Sequence, residues 1–397
     1  MNDDLEAPMT AGTSLERARR VTFRLAAEAD RIETAREVPP DLMSVLHDAR
    51  LFRLTLPRSL GGDATDLATL AEVTEMISAA DASTGWCIGQ GSGCAMTAAQ
   101  LPPDTARRVF GPADAVLAWG AGVQGRALRV DGGWRVTGRW SFASGSRAAI
   151  WLGAHCKMFE TDGATPTRAA DGQHAERTLL VPRGEAKIDD DWNVMGLCGT
   201  GSDSYALHDH FVADALAIDR DDLSGQYEPA TLYKFPQIMV YAGAFGGVML
   251  GIARGMLDDV CALAMTKSPR GAASSLLESP VFHSELARLE ARLRTARSYL
   301  LSTLRAVWDA VDGGAALTLD HRMDVRLAST FAINEGAAVV VDAYRAAGQT
   351  AIFRTNAFER RLRDALSVSQ QVQGRRSHFT TVGRHLLGLE PDTTMFI

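Results

Sequence analysis

The sequence predicts an α+β protein of several domains, and three observations carry that prediction. Apolar residues recur at helical spacing before about residue 112 and again beyond Tyr233, while short alternating runs separated by Gly, Asp and Pro fill the stretch between. With 397 residues, 46% of them hydrophobic and 22% charged, the chain can bury a large core and divide it among two or three domains. The expected architecture is an N-terminal α-helical domain over 1–112, a middle antiparallel β-barrel over 113–228 and a C-terminal four-helix bundle over 229–397.

In the first region Ser14 is placed to cap a helix whose apolar face runs Ala18, Val21, Leu25, Ala29 and Ile32, with Pro39-Pro40 ending it. Asp41 opens a second helix through Leu42, Val45, Leu46 and Ala49, and a third spans 67–80. A fourth, over 83–99, is so rich in Gly, Ala and Ser that it must pack closely. Strands are predicted at 126–130, 134–142, 149–157, 177–181, 186–188 and 204–212, with 161–175 a polar loop. The helical period then returns. Residues 236–253 carry no charge, and Gly247, Gly251 and Gly255 lay a small stripe on one face, which reads as a buried bundle helix rather than a membrane span. Phe282, Leu286, Leu289, Leu293, Ala296, Leu300, Leu304, Val307 and Val311 share one face of a long helix. Helices through 325–344 and 358–376 complete the bundle.

A net charge of −7 gives no basic footprint for nucleic acid. Five scattered cysteines with no C-x-x-C pair indicate free thiols in a reducing, cytoplasmic setting. The acidic start, MNDDLEAPMTAGTS, lacks the basic and apolar regions of a secretory signal. Gly120 to Gly125 matches G-x-G-x-x-G by letter, but a strand and turn follow it where a dinucleotide fingerprint needs a helix. His208 and His210 share a strand face without a visible third ligand, so no metal site is expected. His155 and Cys156 point to opposite faces and make no nucleophile pair.

The segment most informative about function is GGWRVTGRWSFASGSRAAIWLG, Gly132 to Gly153. Its first half alternates as a strand, and Ala143-Ser144-Gly145-Ser146 then lets another group approach the backbone closely. Aromatics with a serine around a glycine suit a flat, partly polar ring, although a buried hairpin has the same pattern.

This segment resembles the flavin-contacting W-x-F-x-S-G stretch of the acyl-CoA dehydrogenase superfamily, in its flavin-dependent, two-component monooxygenase branch. Three further stretches are similar to that family in the same order: Leu56-Pro57-Arg58-Ser59-Leu60-Gly61-Gly62, Trp192 to Ser202 (WNVMGLCGTGS), and Arg361-Leu362-Arg363-Asp364-Ala365. The resemblance implies reduced FAD or FMN supplied by a separate flavin reductase, molecular oxygen as co-substrate, a C4a-hydroperoxide held in a dry pocket, a small aromatic, amine-type or natural-product substrate, and a homotetramer. It implies that Trp140 and Phe142 wall the flavin, and that Ser144 and Gly145 meet its N5 edge. Gly120 would bring a backbone amide near, while Trp86, Cys94 and Trp119 face the substrate. Arg270 and Arg363 are candidates for the flavin phosphate, with an ordinary helix salt bridge as the competing reading.

The chain departs from the family where the chemistry would need a base. The position that carries a glutamate in the dehydrogenases and a histidine in related hydroxylases falls at Gln371, whose amide does not titrate. The position eight residues after Trp86, a histidine in many hydroxylases, is Cys94. Acyl-CoA dehydrogenation is therefore disfavoured, and oxygen transfer to an electron-rich substrate favoured. A flavin oxidase or dehydrogenase on a non-CoA substrate, and a catalytically silent flavin-fold protein, remain as alternatives.

Overall fold

The computed structural model describes residues 9–393 apart from 221, 272 and 273, so much of the acidic start lies outside the described residues. Six helices come first: α1 (Ser14–Ala27), α2 (Ala29–Ala35), α3 (Pro40–Asp48), α4 (Leu67–Ala80), α5 (Ala82–Ala95) and α6 (Pro103–Phe110). Thr13, not Ser14, caps α1, because Thr13 and Glu16 satisfy each other's backbone amides in a capping box. The apolar face expected to be continuous from Ala18 to Ile32 is broken at Glu28, which separates α1 from α2. Asp66 and Asp81 cap α4 and α5 through the amides of Thr69 and Thr84.

Eight strands follow: β1 (Leu117–Trp119), β2 (Gly125–Val130), β3 (Gly133–Trp140), β4 (Trp151–Phe159), β5 (Glu176–Pro182), β6 (Lys187–Asp189), β7 (Ser204–Ala213) and β8 (Ala217–Ile218). They form one sheet in the order β6-β7-β3-β2-β4-β5-β8, with β1 also on β4. The expected antiparallel barrel is corrected to a mixed sheet, since β1 and β2 both run parallel to β4. Alternation along a strand reports which face is buried; it carries no information about the neighbour's direction. Leu117–Trp119 pair with Trp151–Gly153 and Gly125–Leu128 with Cys156–Phe159, so the chain leaves β4 at Gly120 and rejoins it at Gly125.

The last region holds α7 (Gln237–Ala264), α8 (Pro280–Asp312), α9 (Leu319–Ala347), α10 (Phe358–Ser369) and α11 (Ser377–Leu386). The single helix expected over 358–376 stops at Ser369, and a 3-10 turn at Val372–Gly374 intervenes before α11. Helix α7 is the central member, packed on α4, α5, α8 and α9. By length and composition it could cross a membrane, but 83% of its most apolar window is buried inside the protein, so it is a core helix. One hydrophobic core runs through all three regions.

Candidate functional site

Strand β3 ends at Trp140, whose side chain is fully enclosed. Its indole N–H donates to the His155 carbonyl at 2.9 Å, and its ring stacks on Tyr205 at 5.2 Å. A Cβ added at Gly125 would lie 2.3 Å from this ring, which is why the sequence has glycine there. Trp140, expected to wall a ring system, is thus a core residue with no surface to offer a ligand. Gly120 is corrected likewise: its amide donates to the Tyr205 hydroxyl at 3.4 Å and does not face open space.

Immediately after Trp140 the backbone turns sharply. Phe142 has φ +63° and Gly145 φ +78°. A left-handed conformation is costly for a phenylalanine and persists only where its surroundings hold it, a pattern common at functional sites. Here the Ala143 amide donates to the Asp203 carbonyl at 3.3 Å and the Gly145 amide to the Thr200 carbonyl at 2.8 Å. The turn leaves the Phe142 side chain 63% exposed, with Trp192 edge-on to its ring at 6.0 Å.

Ser144 is buried by the same turn and is the first link of a connected chain. The Trp86 indole N–H donates to Ser144 Oγ at 2.9 Å, Ser144 Oγ lies 2.8 Å from Ser202 Oγ, and Ser202 Oγ lies 2.6 Å from Thr200 Oγ1. On its other side Trp86 stacks on Phe245 at 4.0 Å, and Phe245 stacks on Tyr241 at 5.6 Å. The Tyr241 hydroxyl lies 3.3 Å from Gln90 Nε2 and 3.6 Å from Cys94 Sγ. Trp119 meets the edge of His155 at 5.0 Å. Trp86, Cys94 and Ser144 therefore belong to one connected wall, and Trp119 stands beside it on β1, which packs on α5.

Thr200 and Ser202 lie in the family-like stretch Trp192 to Ser202, whereas Tyr241, Phe245 and Gln90 were not anticipated as members of this wall, and two periodicities could have found these three. Trp86, Gln90 and Cys94 recur every fourth residue on α5, and Tyr241 and Phe245 do so on α7 amid glycines and alanines. The small neighbours leave the rings room to stack.

Near neutral pH the inner side chains of this wall are uncharged. Burial pushes the Cys94 thiol up to about 12, despite hydrogen bonds from Tyr241 and Gln90 that act the other way. Burial raises the Tyr241 hydroxyl well above its ordinary range. It holds His155 well below its own, with the Arg220 charge adding to the effect. Arg220 stands at the periphery, 3.5 Å from His155 Nε2 and over the Trp119 ring at 5.8 Å. The wall offers hydrogen bonds and aromatic faces but no base of ordinary strength.

Three further candidates lie elsewhere. Gln371 follows α10 in a turn, where its side-chain oxygen accepts from the Gln373 amide at 2.7 Å. No hydrogen bond or ring contact joins it to the wall among the described residues. Arg363 is paired with Glu33 at 2.7 Å and Glu359 at 2.6 Å and donates to the Met195 carbonyl at 2.6 Å, so its fork is fully engaged by protein. Arg270 is exposed beyond the far end of α7. The nineteen residue steps of α7 from Phe245 to Ala264 span about 28 Å along its axis, and Arg270 follows the helix's far end. Neither arginine is placed for a ligand at Ser144 in the same chain.

A surface depression lined by Ser14, Arg17, Arg58, Asp63, Asp66 and Trp308 shares no residue with the wall. It is an open polar saddle in which Arg17 pairs with Asp63. A narrow apolar cleft lined by Met43, Phe52, Cys87, Gly145 and Thr200 lies directly against the Ser144 turn.

Two family models match the chain: "Acyl-CoA dehydrogenase, N-terminal domain" over residues 15–106 and "Acyl-CoA dehydrogenase, C-terminal domain" over 244–373, together more than half of it. The chain is 28% identical to the indole-3-acetate monooxygenase of Pseudomonas putida, over 92% of this chain and 91% of that protein. It is 28% identical to the FADH(2)-dependent resorcinol hydroxylase, oxygenase component, of Rhizobium sp. (strain MTP-10005), over 98% and 99% respectively. Among solved structures, XiaF from Streptomyces sp., in complex with FADH2 and glycerol, superposes with a TM-score of 0.88 at 23% identity, covering 96% of each chain.

Proposed function

We propose, because the chain belongs to the acyl-CoA dehydrogenase superfamily and to its flavin-dependent monooxygenase branch, that it is the oxygenase of a two-component system. It takes reduced FAD or FMN from a separate reductase and transfers one atom of molecular oxygen to a small aromatic substrate. The observation that carries this reading is the uncharged aromatic wall joined to Ser144 through Trp86.

The residues at the turn fit a flavin ring. Phe142, exposed and held in a left-handed conformation, can cover one face, and Gly145 leaves the edge open, with only Cys87 Sγ, at 4.0 Å, near where a Cβ would stand. Ser144 supplies a hydroxyl at that edge. Bound reduced flavin supplies the electrons that split dioxygen between substrate and water. The protein's own part is to hold the substrate, orient it and exclude water. Trp86, Trp119 and Tyr241 provide flat apolar faces, backed by the enclosed Phe245, and Tyr241 and Gln90 provide the hydrogen bonds that align a polar ring substituent, with the enclosed Cys94 holding both.

No side chain in the wall can remove a carbon-bound proton, and Gln371, in its capping role, cannot either. Forming the C–O bond to an electron-rich ring needs no such base, since the ring brings the electrons; the ring proton is lost afterwards, when rearomatisation drives its transfer to water. The relatives named for indole-3-acetate and resorcinol point to the same substrate class. As parts of this reading we place domain boundaries at 112/113 and 228/229, a homotetramer in solution and a cytoplasmic setting consistent with five free thiols.

The test is incubation with enzymatically reduced FMN or FAD, 18O-labelled oxygen and a panel containing indole-3-acetate and resorcinol. One labelled atom in an aromatic product is expected, and Ser144→Ala should divert most of the reduced flavin to hydrogen peroxide. Bound flavin that yields peroxide alone from the wild-type protein with every aromatic tried would overturn the assignment.

A further inference from the structure

The hydroxyl chain behind Ser144 has a direction that its distances determine. Thr200 Oγ1 lies 2.8 Å from the Leu197 carbonyl oxygen. Two oxygens that close repel unless a proton lies between them, and a carbonyl has none, so this proton is the threonine's. A hydroxyl carries a single proton. Thr200 therefore has none left for Ser202, and the 2.6 Å contact between them must use the proton of Ser202. Ser202 is then spent as a donor, and the 2.8 Å contact with Ser144 must use the proton of Ser144. Trp86 Nε1, which can only donate, fills one of the two lone pairs of Ser144 Oγ at 2.9 Å. What Ser144 has left is a lone pair.

We propose that Thr200 and Ser202 are positioning residues which fix Ser144 as a hydrogen-bond acceptor, so that the site selects reduced over oxidised flavin by the polarity of one hydrogen bond. This rests on the reading that Ser144 meets the N5 edge of a flavin. N5 of a reduced flavin bears a proton and donates; N5 of an oxidised flavin bears a lone pair and accepts. An acceptor at Ser144 bonds the first and opposes the second. Thr200, Ser202 and Ser144 are all buried, so water does not readily reverse the chain.

The polarity reading makes a prediction that a packing role does not. In Ser202→Ala the Ser144 proton loses its acceptor and becomes free for the ligand. In Thr200→Val, nearly isosteric and one residue removed from contact with Ser144, Ser202 loses its acceptor and turns its proton onto Ser144, which must then donate outward. Both variants should bind oxidised FMN more tightly than wild type does. The measurement is the ratio of the dissociation constants for oxidised and reduced FMN, taken anaerobically by ultrafiltration, with the midpoint potential of the bound flavin as a second readout. Both variants should lower the ratio by about tenfold, the worth of one buried hydrogen bond, and should lower the midpoint potential to match, since the oxidised form gains affinity. Ser144→Ala should lower the ratio instead chiefly by weakening reduced-flavin binding, since it removes the acceptor without supplying a donor to the oxidised form. A ratio unchanged in both variants, or two affinities that fall in parallel, overturns the inference while leaving the monooxygenase reading intact. Failure of the wild-type protein to bind either redox form of FMN or FAD overturns both.

Discussion

Asp364 shows how single residues hold the site in place at a cost. Its carboxylate accepts from the Leu197 amide at 2.6 Å, and Leu197 has φ +55°, so the acidic side chain pins a strained turn that leads directly into Thr200 and Ser202. Burial raises its pKa to about 7; the Leu197 amide opposes the rise, and the nearby Asp81 carboxylate adds to it. The folded state therefore retains a proton that the unfolded chain gives up at about pH 4. Between about pH 4 and pH 7 the native state binds more protons, so stability falls as pH rises through that window. Asp364→Asn keeps an oxygen for the Leu197 amide and removes the titration. Its stability relative to wild type should rise by about 1–3 kcal/mol between pH 5 and pH 8, because a tenfold difference in proton affinity between folded and unfolded chain is worth about 1.4 kcal/mol. Calorimetric melting of both proteins at the two pH values decides this, and a variant that loses melting temperature relative to wild type between pH 5 and pH 8 would show that the ionised form is the one the fold needs.

Among the elements, α7 has the least freedom. The stripe at Gly247, Gly251 and Gly255 is used for close packing within the chain: a Cβ at Gly247 would lie 2.2 Å from the Ala71 carbonyl, and one at Gly251 2.1 Å from that of Glu75. Those oxygens belong to the α4 backbone and cannot move aside without separating the helices. Gly251→Ala should destabilise the protein by at least about 2 kcal/mol. Gly243, on the same helix, is a contrast, since a Cβ there would meet only the Leu304 side chain at 3.3 Å and its nearest backbone atom at 3.7 Å. Gly243→Ala should be nearly neutral, because the gain in helix propensity, about 1 kcal/mol, offsets the crowding. Chemical denaturation of the pair measures the difference, and equal midpoints would refute the close-packing account of this helix.

At the scale of the molecule, the packing of α7 on α4 and of α8 on α9 covers the glycine stripe and the long apolar face inside the chain, so neither is free to hold a second copy. Support for self-association lies elsewhere. Met265, Leu277, Val281, Ile352 and Phe353 are exposed near the far end of α7, where Lys267 ties the two loops together through Thr350 at 2.9 Å. Large apolar side chains concentrated in this way favour burial against another copy. Light scattering at micromolar concentration should give a mass four times that of the chain, and Phe353→Glu should reduce it. A wild-type monomer under those conditions would refute the tetramer.

Helix and strand positions, the family and part of the candidate site were legible because they depend on local pattern. Trp86, Cys94, Trp119 and Ser144 could be named from spacing and resemblance, and the amide of Gln371 excluded a base there before any contact was known. Strand direction was not legible, since β1 and β2 alternate in the same way whichever way β4 runs. Nor could spacing separate Trp140, enclosed in the sheet, from Phe142, two residues later and exposed, because that difference arises from a left-handed turn held by Asp203 and Thr200, about sixty residues away. The engagement of Arg363 by Glu33, and the order of protons from Trp86 to Thr200, likewise join residues far apart in the chain. Sequence periodicity records which side of an element meets the core; which partner waits there is decided only when the elements have packed.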